Sequence, residues 1–252
     1  MPLLDFTRKV LQVTEQLSGR PVRVREDSTL SVLATIKMAR GIAPMHMISY
    51  RPIPGRQPDY HICYQCGFVI RLFETPPNRR FDFGPSPEAS KQMDTLLADR
   101  SLPPQARMAK DMLMSGLLTQ LRSIPIGLRI DDWLWSLGTD LREEQVASAR
   151  LQLSDNAQVL SPGIRQSFPK KIVKANTAMN AAFALFWATK LEDPSISLPY
   201  RSIGADVDGN GLLDIFGEVE PKPDGDCVLV DRWADHLGLS GWYRWVPYKL
   251  ED

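Results

Sequence analysis

The chain has 252 residues, 43% of them hydrophobic, and 30 basic residues balance 30 acidic ones. That is enough apolar material for a core, and zero net charge excludes a broad electrostatic pull toward nucleic acid or an acidic membrane. Three cysteines, Cys63, Cys66 and Cys227, are too few and odd in number for a disulfide framework, which fits a reducing compartment.

The opening segment places Leu3, Leu4, Phe6, Val10, Leu11, Val13 and Leu17 at helical spacing, with Gly19 as the stop. Asp5, Arg8 and Lys9 interrupt its apolar stretch, so it does not read as a signal peptide. Short runs with strand character follow at residues 22–24, 30–38 and 45–50, punctuated by Gly41 and Pro44. Pro52, Pro54, Gly55 and Pro58 make a loop, after which residues 59–73 have helical length up to Pro76 and Pro77. A Pro- and Arg-rich loop is expected at 78–87. Helices are expected at 88–99, 103–121, 131–137, 141–153 and 169–191. Residues 203–219 read as two short strands around a Gly-rich turn, and 231–237 as a short helix ended by Gly238. The longest low-charge stretch, 175–189, is too short to span a bilayer and contains Asn176, Thr177 and Asn180. A cytoplasmic protein without a membrane partner is the expectation.

The segment most informative about function is Asp59-Tyr-His-Ile-Cys-Tyr-Gln-Cys-Gly-Phe-Val-Ile-Arg-Leu-Phe73. It resembles the active-site helix of the ImmA/IrrE-type zinc metallopeptidases, in which a short sheet precedes a helix bearing H-E-x-x-H, followed by an apolar run and Arg. Gly67, the apolar run and Arg71 match, and the downstream Pro76, Pro77 and Arg80 match loosely; the resemblance covers roughly residues 20–122. The chemical positions depart from it. Tyr64 and Phe68 stand where the two zinc-binding histidines would share one helix face, and Gln65 stands at the general base. Phe68 has no donor atom, a neutral phenol is a poor ligand, and an amide takes no proton from water. The resemblance therefore implies a degenerate member with no catalytic residues and no cofactor, and a regulatory role in binding a protein partner, such as a transcriptional repressor, through the old cleft. The family's third metal ligand falls on the following helix, where Asp111 is the candidate. Against this stands a plainer reading, in which residues 59–73 are a buried helix of an unrelated fold and Tyr64 and Phe68 are core residues four apart.

Other segments suggest other chemistry. His61, Cys63 and Cys66 form H-x-C-x-x-C, but on a helix His61 lies about 200° from Cys63, and no second half-site accompanies them. Asp206-Val-Asp-Gly-Asn-Gly-Leu-Leu-Asp214 matches the front of a calcium loop, with Asp206, Asp208, Asn210 and Asp214 as oxygen donors, yet Gly217 occupies the position of the closing Glu. A turn using Asp-Gly-Asn-Gly is the favoured account, and a calcium-stabilised module the alternative. Arg165, Lys170, Lys171 and Lys174 make a basic stretch, either a phosphate contact or a solvated helix start. The six tryptophans, Trp133, Trp135, Trp187, Trp233, Trp242 and Trp245, suit a core or an interface. An enzyme of another class, with Asp111 as a member of its site, is the remaining alternative.

These readings combine into one globular unit of helix-rich α+β class. A metallopeptidase-like region (1–122) has a small N-terminal sheet packed on the motif helix. A helical region (123–192) follows, then an α+β tail (193–252) with a hairpin and a short helix.

Overall fold

The computed structural model describes residues 3–99, 101–137 and 139–250. Helix takes 63% of the described residues and strand 11%, which makes it the helix-rich α+β protein expected. Its residues form two compact units. Unit 1 takes the chain up to Asp82, then Arg129–Ser148, then the end from Pro247; unit 2 takes Phe83–Leu128 and Ala149–Val246.

Unit 1 opens with α1 (Asp5–Ser18), which buries Thr7, Val10 and Thr14 along one stripe. Gly19 ends it at φ 65°, donating its N–H to Glu15, the left-handed stop that the sequence suggests. Strands β1 (Val22–Glu26), β2 (Ala34–Lys37) and β3 (His46–Tyr50) form a mixed sheet in the order β1-β3-β2. Val22 pairs with His46 in the parallel β1–β3 ladder, and Ala34 with Tyr50 in the antiparallel β2–β3 ladder. β3 is central, and His46, Ile48 and Ser49 are buried on it.

Helix α2 (Asp59–Glu74) is buried on almost every side, from Asp59 to Phe73. Such a helix belongs inside a core, and it packs on α1, β2 and β3. Two contacts fix its ends. The Asp59 carboxylate accepts the Leu4 N–H at 2.8 Å, and Arg80 donates to the carbonyls of Phe73 and Thr75 at 2.8 Å each while its guanidinium lies over the Phe73 ring. Arg80 thus satisfies carbonyls that the helix end leaves open. Val69 and Phe73 complete a small apolar cluster with Tyr248, joined by Ile36, Met38 and Leu250.

The Pro- and Arg-rich segment expected as loop contains β4 (Phe81–Pro85). Unit 2 continues with α3 (Pro87–Leu97) and α4 (Pro104–Met108). Helix α5 (Lys110–Leu137) replaces the two helices expected there, running unbroken through Pro125. Leu117, Leu121, Ile124, Leu128 and Leu134 are all buried, so one apolar stripe outweighs the missing proline N–H. Then come α6 (Arg142–Gln158), α7 (Pro162–Ser167), α8 (Lys170–Lys190), α9 (Leu198–Arg201), α10 (Asp206–Glu218), α11 (Asp226–His236) and β5 (Tyr243–Pro247), which pairs with β4. Helix α8 is the centre of unit 2, with Ala175, Ala178, Met179, Ala181, Phe183 and Trp187 buried.

The two strands expected within 203–219 are a correction: that stretch is α10. Its glycines are there for close approach, not for turning. A Cβ on Gly209 would come within 2.9 Å of Ala181 Cβ on α8, and one on Gly211 within 2.6 Å of His236 on α11. The chain crosses between the units inside β4, α5, α6 and β5. Regular elements carry those boundaries, so no Pro- or Gly-rich linker marks them.

Candidate functional site

Two of the places that bring polar side chains together, among the described residues, bear on the expectations above. The first is the motif helix of unit 1. Tyr60, Tyr64 and Phe68 form a row four residues apart, with ring centroids 5.8 Å and 5.5 Å from one to the next. The row meets the end of α5. The Tyr60 hydroxyl donates to Asp131 Oδ1 at 2.7 Å, and Gln145 Nε2 donates to the Asp131 carbonyl at 2.9 Å and to its carboxylate at 3.1 Å. Asp131 is only 2% exposed. Burial and the Asp131 charge push the Tyr60 and Tyr64 phenols well above their ordinary range. A buried carboxylate held by Tyr60 and Gln145 is a structural pairing, although Gln145 Oε1 has no partner among the described residues.

Each motif position therefore has an occupation of its own. Gln65 is buried and its Nε2 donates to the Ala34 carbonyl at 3.2 Å. Gly67 is required by packing: a Cβ there would lie 2.6 Å from Ile130 Cγ2. The candidate third ligand, Asp111, is an exposed acid in the first turn of α5, in unit 2, beside the exposed Met108 and Met112. Within unit 1 the acid that α5 brings to the motif helix is Asp131, which the sequence reading passed over. Its signal was present, as a polar residue on the stripe Ile124, Leu128, Asp131, Leu134.

The C-x-x-C pair faces α1. Cys63 Sγ lies 3.6 Å from Thr7 Oγ1, and Cys66 meets Thr14. Burial raises their thiols to about 12 and about 11. Thiols so protonated are poor nucleophiles. Burial, then the nearby Arg56, lowers His61 to about 4.

The second place is a cavity of about 500 Å³ in unit 2. One wall is a single face of α8: Lys170, Val173, Lys174, Thr177 and Ala178. Arg165 and Gln166 of α7 form another, and the start of α10, from Ile203 to Asp208, the third. Lys174 Nζ lies 3.2 Å from Asp208 Oδ2, and His236 Nε2 lies 3.8 Å from Asp208 Oδ1. The basic stretch noted in the sequence is thus half of a concave site. Its other half went unseen because residues 203–208 were read as strand and turn.

The calcium reading is overturned by the same helix. On α10 Asp206 and Asp208 point about 200° apart, Asn210 donates back to the Asp206 carbonyl at 2.8 Å, and Asp208 is committed to Lys174. Among the described residues no three His, Cys, Asp or Glu side chains gather as a metal site.

Trp187, Trp233 and Trp242 are fully buried, so half of the tryptophans serve the core. No described helix is long and apolar enough to cross a membrane. The chain matches no known protein family, no curated protein and no solved structure.

Proposed function

We propose that unit 1 is a catalytically inactive relative of the ImmA/IrrE-type zinc metallopeptidases, acting in the cytoplasm by binding a protein segment in a regulatory role. The reading draws support from the order of a short sheet followed by the motif helix, and from Gly67 in its motif register. The observation that carries it is the Gln65 to Ala34 hydrogen bond. Arg51 N–H donates to Leu33 O, so by antiparallel alternation the backbone groups of Ala34 and Ile36 point away from β3. β2 is an edge strand, and Gln65, in the place of a general base, sits at its outer edge. A partner strand added along β2 would lie against the former motif. A repressor-type regulator is the partner class that the resemblance implies.

Two measurements test this. The variant Tyr64→His/Gln65→Glu/Phe68→His should bind zinc, and adding Asp131→Ala should weaken that binding while adding Asp111→Ala should not; a folded triple variant with no gain in zinc affinity would remove the family. Ala34→Pro deletes an outward N–H that the sheet does not use. It should weaken a repressor encoded beside this gene at least tenfold in calorimetric titration, with the melting temperature unchanged. A repressor that fails to bind at micromolar concentration would remove the binding role.

A further inference from the structure

We propose that the cavity between α7, α8 and the start of α10 binds a small phosphomonoester, its phosphate held by Arg165 and Lys170 and its organic part resting on Val173, Ala178 and Ile203. The proposal is independent of the reading of unit 1.

The size suits it. About 500 Å³ lies within the range of small-molecule sites and exceeds what a bare phosphate fills. The charge suits it as well. Three cations and one carboxylate line the cavity. Lys174 is taken by Asp208 at 3.2 Å. Arg165 makes no ion pair among the described residues, and Lys170 acts on Asp99 only through space. Two cations are thus left facing an open volume, one of them a guanidinium whose fork matches a phosphate.

A third group points the same way. Thr177 is 5% exposed and lines the cavity. Thr14 and Thr75, also buried, donate back to the carbonyls of Val10 and Arg71, four residues earlier. The Thr177 hydroxyl makes no such bond, and no other, among the described residues. It stands on the same α8 face as Lys170 and Lys174, with its oxygen turned to the open space. An unpaired hydroxyl that reaches the open volume can exchange water for a ligand oxygen there. The first turns of α8 and α10 also reach the cavity, and neither has a side-chain cap. Their free amides favour an anion.

Calorimetric titration of the whole protein with ribose 5-phosphate, adenosine monophosphate and inorganic phosphate tests the site. A phosphomonoester should bind saturably with one site per chain, at least tenfold tighter than inorganic phosphate. Arg165→Ala and Lys170→Ala should each weaken it tenfold or more, and Thr177→Val severalfold, with circular dichroism and melting temperature unchanged. Met112→Ala, on exposed α5 surface, should leave it unaltered. The proposal is overturned if no probe binds at millimolar concentration, or if binding ignores both cation variants. It is also overturned if inorganic phosphate binds as tightly as its esters, or if a 20-nucleotide DNA strand binds tighter than any of them with steep salt dependence.

Discussion

Tyr60, Asp131 and Gln145 in unit 1, and Arg165, Lys170 and Thr177 in unit 2, are both polar clusters on helices, and they differ in what they leave undone. In the first, the carboxylate takes two donors and is sealed at 2% exposure. In the second, two cations and the Thr177 hydroxyl line an open cavity, with no ion pair or hydrogen bond among the described residues. Paired buried polar groups hold a fold together, whereas unpaired cations beside an open volume are free to meet a ligand. The contrast predicts that variants in unit 1 act on stability and those around the cavity act on binding.

The largest effect should come from Asp131→Ala. It removes the carboxylate that accepts from the buried Tyr60 hydroxyl and one of the two acceptors of the Gln145 amide, at a cost of about 2–5 kcal/mol in urea denaturation. A near-neutral result would break the contrast and make the Tyr60 cluster a site in its own right.

Acid should weaken unit 1 next. His46 is fully buried, accepts the Ala39 N–H at its Nδ1 at 3.1 Å, and is lowered to about 4 by burial, with Arg20 adding to it. An unfolded histidine takes up its proton near pH 6.5, and the folded one resists until about 4. The stability it contributes is therefore complete above pH 6.5 and lost as pH falls from 6.5 to 4, by up to about 3 kcal/mol. Urea melts across that window should show the decline. His46→Asn, whose Oδ1 accepts from Ala39, should flatten it.

Two glycine variants sharpen the comparison within the helices. Gly67→Ala drives a Cβ against Ile130, and Gly209→Ala drives one against Ala181. Each should cost about 1–2 kcal/mol, overpacking outweighing the gain in helix propensity. Ile130→Ala should restore the Gly67→Ala variant, as a contact account requires. The smallest effect belongs to Arg165→Ala and Lys170→Ala, which should shift stability by no more than about 0.5 kcal/mol. A larger loss would show those cations to be part of the fold.

Much of the fold was legible from local signals. Residues 59–73 have the apolar run, the prolines on either side and the length of a helix, and they form α2. The three N-terminal strands fall where β-branched runs sit between Gly and Pro. Residues 203–219 misled because Asp-Gly-Asn-Gly carries the same residues in a turn as in a helix that needs close neighbours. Gly209 and Gly211 look like turn glycines until Ala181 and His236 are placed against them.

By itself, then, the sequence determined the helix-rich class, the helix over residues 59–73, and that Tyr64, Gln65 and Phe68 offer neither a zinc ligand nor a general base. Those follow from periodicity and from the chemistry of Tyr64, Gln65 and Phe68, which no folding alters. Tertiary structure alone decided that Asp131 is an acid that α5 brings to that helix within unit 1, that Cys63 and Cys66 face α1, and that Arg165, Lys170 and Lys174 line a cavity. Those outcomes depend on which faces of helices distant in sequence meet, and the pairing is set by shape and by the placement of small residues such as Gly67 and Gly209.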